Sequence, residues 1–135
     1  MRAGVLVAPI AALWISGSLA TAQEQVEVER GEYLARRVAM CGQCHTPRDE
    51  SGRPIESRLF QGSPVPVGPP PYPGWEWASR APRIAGLPGY TEDEAVRLLT
   101  EGFDRHGKRP RPPMPPFRFS EADARAIAAY LRSLP

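Results

Sequence analysis

Cys41-Gly42-Gln43-Cys44-His45 holds both cysteines and one of the two histidines of this 135-residue chain. Residues three apart on a helical turn are neighbours, so the two thiols can each add to one vinyl group of the same porphyrin. The adjacent imidazole then points at the iron from one side, while Gly42 and Gln43 need only allow the tight turn. The pattern is C-x-x-C-H, the attachment signature of c-type haem. Two other chemistries use such cysteines. A structural or redox-active disulfide suits an exported chain, but redox pairs of this kind usually sit in a β-α-β frame, and no such pattern surrounds this one. A zinc site needs four ligands, and only Cys41, Cys44, His45 and the distant His106 offer sulfur or imidazole.

Haem iron has a second axial position, and its occupant decides the chemistry. Beyond residue 22 the candidates are Met40, Met114 and His106. Met40 directly precedes Cys41 and is tied to the His45 side. His106 lies in Asp104-Arg105-His106-Gly107-Lys108-Arg109, a polar turn that reads as solvated surface. Met114 follows His45 by 69 residues, enough chain to wrap a porphyrin, within Pro112-Pro113-Met114-Pro115-Pro116. Four prolines restrict the backbone and supply no amide donors, a setting able to hold a weak thioether ligand in place. An ordinary Met filling a loop contact is the alternative.

Composition points the same way. Met1-Arg2, the apolar run Ala3–Ile15 and the Ala20-Thr21-Ala22 pattern have the layout of a secretory signal peptide, residues 1–22, with cleavage expected after Ala22. Thirteen apolar residues fall short of the about 20 that a spanning anchor needs. The remaining domain, 23–135, is expected to be soluble and periplasmic, with no stable membrane insertion after cleavage. In it apolar residues make only about 36%, and Pro plus Gly about 23%. Such a chain needs a group other than its own side chains to fill a core. Basic and acidic residues nearly cancel, which excludes a nucleic-acid binder or a polybasic membrane adsorber.

The expected architecture is all-α, three main helices among long Pro-rich loops. Gly31 to Cys41 reads as the first helix, with Tyr33, Leu34, Ala35 and Val38 on its apolar face. Thr91-Glu92-Asp93-Glu94 is a capping box opening the second, whose buried stripe is Ala95, Leu98, Leu99 and Phe103, with Gly102 as its stop. Ser120 caps the third, with Asp123 as the other half of a weaker capping box, and Ile127, Tyr130, Leu131 and Leu134 face inward. Periodicity is lost from 46 to 90, and 64–74 reads as an extended Pro-rich loop; a Pro-rich recognition motif is the alternative.

From Gly31 to Pro135 these features resemble a single-haem, class I c-type cytochrome. The likeness rests on the helix entering Cys41-x-x-Cys44-His45, the Pro-flanked Met114, and the terminal helix with Ile127-Ala128-Ala129-Tyr130-Leu131. It implies the class I cytochrome c fold around one covalent haem c, bonded by Cys41 and Cys44 and ligated by His45 and Met114. It also implies that Gly31 lets the first helix approach Tyr130 closely. Ala81-Pro82-Arg83-Ile84-Ala85-Gly86-Leu87-Pro88-Gly89-Tyr90 resembles the haem-packing segment of cytochrome subunits of periplasmic dehydrogenases. Many class I members also have a short Gly-Pro loop soon after the motif, whose carbonyl accepts from the ligand histidine. Here a longer Pro-rich region intervenes, leaving the partner of His45 unassigned.

The function this implies is one-electron transfer by a protein that is not itself an enzyme. Its partners would be redox proteins: a periplasmic donor such as a dehydrogenase, and an acceptor such as an oxidase or another cytochrome. Trp75, Trp77, Tyr90, Phe103 and Phe117 are candidate pocket residues, Tyr90 and Phe117 foremost. Arg105, Lys108, Arg109, Arg111 and Arg118 form a basic stretch beside Met114, suited either to steering an acidic partner or to plain solvation. A haem sensor or peroxidase-like protein with an open sixth iron position is the rival function.

Overall fold

The computed structural model describes residues 13–135 except Tyr72 and Trp75, with side chains described from Thr21 onward. Most of the expected signal peptide and the candidate Trp75 therefore lie outside the described residues. Three long helices carry the fold: α1 (Leu13–Tyr33), α3 (Glu92–Glu101) and α4 (Glu121–Ser133). The short helix α2 (Gly42–His45) contains the motif, and β1 (Ser63–Pro64) pairs antiparallel with β2 (Arg80–Ala81). This ladder sits at the stem of the Pro-rich loop, where the sequence shows no strand pattern.

The first helix begins well before Gly31. Ala22 to Arg30 is rich in Glu and Gln, good helix formers, and Gln25 reaches Glu29 one turn on. Gly31 does not break the helix because its missing side chain makes room for α4. A Cβ there would stand 1.9 Å from the Ala126 carbonyl oxygen and 2.8 Å from Tyr130 Cβ. Arg30 fastens the same crossing through its guanidinium on Asp123, 2.9 Å.

The far end of that helix departs from simple periodicity. Leu34–Val38 is π-helical, with the Ala39 amide on the Leu34 carbonyl at 2.8 Å, and Met40 then turns left-handed at φ 51°. One extra residue per turn rotates the face. Leu34 and Ala35 are buried as expected, but Tyr33 and Val38 are 54% and 49% exposed.

Helix α3 has the expected capping box: Thr91 Oγ1 accepts from the Glu94 amide, and Glu94 accepts from the Thr91 amide. Gly102 ends it in the left-handed region at φ 78°. Its buried face is Ala95, Val96 and Leu99, while Leu98 and Phe103 are half-buried, so the stripe is turned toward Val96. In α4 the Ser120 cap accepts from the Asp123 amide, but the Asp123 carboxylate goes to Arg30 instead of closing a box. Its Ile127, Tyr130 and Leu131 are buried.

Alanines supply much of the core (Ala35, Ala85, Ala95, Ala124, Ala128), consistent with closely approaching helices around few large side chains. The aperiodic region contributes too. Phe60 is fully buried, edge-on to Tyr130 at 6.2 Å, and its carbonyl accepts from the Ile84 and Ala85 amides. Thr46, also fully buried, accepts the Phe60 amide through Oγ1.

Candidate functional site

The motif helix leaves α1 through the turn at Met40. Cys44 and His45 both direct their amides to the Cys41 carbonyl, at 3.3 and 2.9 Å, so the two sulfurs and the imidazole share one turn. The next carbonyls of that turn, in i→i+4 order, need donors at 46 and 47. Thr46 serves Gly42, at 3.2 Å, but residue 47 is proline and has no N–H for Gln43. Arg48 fills the gap: its Nη2 donates to the Gln43 carbonyl at 2.8 Å and its Nη1 to the Gly52 carbonyl at 2.6 Å. The guanidinium thus locks the end of the motif to the turn at Asp49–Arg53.

His45 is 8% exposed, and its Nδ1 lies 2.7 Å from the Pro82 carbonyl oxygen. A carbonyl only accepts, so Nδ1 carries the proton and the Nε2 lone pair is left for a metal. Burial holds the ring below the usual histidine range, with the Pro82 hydrogen bond pulling weakly the other way. The ring is therefore neutral near pH 7, the form that ligates iron. Its backbone carbonyl accepts the Gly62 amide at 2.7 Å, so the residue is held at both ends.

Cys41 and Cys44 are both free thiols. Burial pushes the Cys41 thiol up to about 11. Thiol–disulfide catalysts need the opposite shift, because the thiolate is their nucleophile. Two unpaired thiols beside a neutral, oriented imidazole fit a covalently attached haem and argue against redox exchange.

Met114 is half-buried in the 112–116 loop, which contains a cis peptide between Pro112 and Pro113. The loop is joined to the Pro-rich segment by the Ala78 amide on the Pro112 carbonyl, 2.7 Å, and by Arg111 with Glu76, 3.2 Å. Tyr90 and Phe117 are half-buried against the core. Tyr90 lies under the Arg105 guanidinium, which also bonds the Gly89 carbonyl, and Phe117 stacks on Phe119 at 5.3 Å. Trp77 donates its indole N–H to Val67 within the Pro-rich loop. His106 is exposed in a turn that Asp104 organises by accepting the amides of 106 and 108.

Within the basic stretch, Arg111 has a carboxylate partner from 35 residues upstream, which the local sequence conceals. Among the described residues Arg105, Lys108, Arg109 and Arg118 form no ion pair; Arg109 instead covers the Phe103 ring at 5.1 Å. Pro82 supplies the partner of His45 that the sequence left unassigned. Its signal was indirect: it lies in the 81–90 stretch already singled out by resemblance.

Comparison with known proteins agrees with this geometry. A family model described as "Cytochrome c" matches residues 28–135. The chain is 33% identical over 115 residues to the cytochrome c subunit of a quinone alcohol dehydrogenase of Gluconobacter oxydans, covering 81% of this chain and 24% of that one. It is 30% identical to the cytochrome subunit of a fructose dehydrogenase of Gluconobacter japonicus, covering 78% and 22%. With a "Diheme cytochrome c-type" protein of Cereibacter sphaeroides it shares 32% identity, covering 81% and 36%. The chain thus spans between about a fifth and about a third of the length of these relatives.

Proposed function

Since the chain belongs to the cytochrome c family and is an electron carrier, we propose that it works as an exported single-haem carrier with His45 and Met114 as axial ligands. Cys41 and Cys44 hold the haem by thioether bonds. The donor is a periplasmic dehydrogenase, in keeping with the relatives named as dehydrogenase cytochrome subunits, and the acceptor is an oxidase or another cytochrome. Residues 1–22 are removed on export, so amino-terminal sequencing of the mature protein should begin at Gln23. A start at Met1 would overturn that step.

The observation that carries this reading is the 2.7 Å contact between His45 Nδ1 and the Pro82 carbonyl, on a buried ring beside two free thiols. Haem c, when bound, supplies an iron that alternates between ferric and ferrous and so carries one electron. The protein's own groups do the rest. Pro82 fixes the tautomer and direction of His45 and makes its Nε2 a better donor. The Met114 thioether favours the ferrous state and so raises the potential. With His45 and Met114 both holding the iron, no coordination site would be left for substrate. Tyr90 and Phe117 keep water from the pocket.

The deciding experiment is the absorbance of the ferric protein. Wild type should show the weak far-red band of a Met-to-iron bond, and Met114→Ala should lose it. A high-spin wild type that readily takes carbon monoxide or cyanide would instead establish a sensor or peroxidase-like protein. Arg105, Lys108, Arg109 and Arg118, which form no ion pair among the described residues, steer an acidic partner. Electron-transfer rates should then fall as ionic strength rises, and a rate indifferent to salt would refute steering.

A further inference from the structure

We propose that the segment Glu76–Pro82 is a brace joining the two sides of the iron site, and that Ala78 is a positioning residue for Met114. The inference rests on Met114 being the second axial ligand. At one end of the segment, the Pro82 carbonyl holds the His45 ring at 2.7 Å. At the other, the Ala78 amide holds the Pro112 carbonyl at 2.7 Å, two residues before Met114, and Glu76 meets Arg111 at 3.2 Å. Between these anchors the segment is itself pinned: Arg80–Ala81 pairs with Ser63–Pro64, and the Ser79 carbonyl accepts the Val65 amide at 3.0 Å. The ladder is in turn fixed to the motif, because Gly62, next to β1, gives its amide to the His45 carbonyl.

The chain bends at Ser79, and from there to Pro82 its path is fixed by the β1–β2 ladder and by the bond from Val65 to Ser79. The Met114 loop needs such an external support. Pro112, Pro113, Pro115 and Pro116 have no amide hydrogen, and the Met114 amide is spent on the Arg111 carbonyl at 3.3 Å. The loop has few donors with which to tie itself down, so it is held through an acceptor, the Pro112 carbonyl. The Glu76–Arg111 pair adds little, being 81% and 66% exposed. Most of the hold falls on the backbone bond from Ala78.

The test uses ferric holoprotein and the rate at which imidazole displaces the Met114 thioether, alongside the far-red band. Ala78→Pro removes the donor; it should raise the displacement rate about fivefold, the worth of one ordinary hydrogen bond. Ala78→Gly keeps the donor but loosens the backbone that carries it, and should raise the rate by about twofold; it carries the test if the proline variant does not assemble. Gly31→Ala, which disturbs the α1–α4 crossing, controls for general loss of stability. An Ala78→Pro rate equal to wild type, or no higher than that of Gly31→Ala, overturns the brace. Absence of the far-red band from wild type overturns the Met114 assignment instead.

Discussion

Replacing Gly31 by alanine perturbs the α1–α4 crossing and little else. The new Cβ would meet the Ala126 carbonyl oxygen at 1.9 Å and its carbon at 2.5 Å. Both belong to the backbone of α4, so no flexible side chain can swing aside, and the helices must part by roughly 1.5 Å to restore ordinary contact distances. Overpacking of this kind costs about 1–3 kcal/mol, and a backbone obstacle places it at the upper end. Alanine repays about 1 kcal/mol in helix propensity, which leaves a net loss of about 2 kcal/mol. At roughly 4–8 °C per kcal/mol for a domain near this size, Tm should fall by about 10 °C. The measurement is a thermal melt of the ferric holoprotein, followed by circular dichroism and by Soret absorbance. Gly68→Ala is the matched control: nothing lies within 4 Å of its Cβ, and its backbone is not left-handed. There the substitution should be neutral or should stabilise by up to about 1 kcal/mol, through the unfolded chain. A Gly31→Ala protein that melts with wild type would refute the close-approach argument.

A chain with so few apolar residues should not fold without its prosthetic group. Cys41→Ala/Cys44→Ala, lacking covalent haem, is expected to be largely unfolded by circular dichroism, and a cooperative native-like melt would contradict this. Thr91→Ala should cost about 1 kcal/mol, the usual worth of an N-cap, and Thr91→Ser should restore most of it. The Glu94 carboxyl is held below the usual glutamate range, chiefly by the Thr91 amide. A depressed folded value means that its contribution is present above the unfolded value and is lost as pH falls through the folded one. Wild type should therefore melt above Glu94→Gln at pH 7, and the difference should close on acidification; a gap unchanged down to pH 2 would exclude the carboxylate as its source.

What the sequence disclosed follows from how local each feature is. The motif, the Thr91 box and the Gly102 stop are each written within a few residues, and local chemistry is enough to read them. The apolar face of α4 was legible because thirteen regular residues keep one period. At Leu34–Val38 the same reasoning misplaced Val38, because a π-turn changes the period without leaving a mark in composition. The buried Thr46 and Phe60, and the bond from His45 to Pro82, join positions 14 and 37 residues apart through irregular chain. No periodicity can announce such pairs. Arg48 was recoverable in principle: a proline after the motif leaves one carbonyl without its amide, and a long donor follows at once.

The outer partner of His45 is a main-chain carbonyl, and that choice has an electrical consequence. An aspartate or a second histidine there would change its protonation as the surroundings acidify, and the electron density on the imidazole would drift with it. An amide oxygen has no proton to exchange over any pH a cell envelope meets. It also has no side chain to mutate, so substitution at 82 can change the packing but cannot delete the acceptor. The polarisation of the His45 ring is built into the course of the chain and does not change with acidity at that contact.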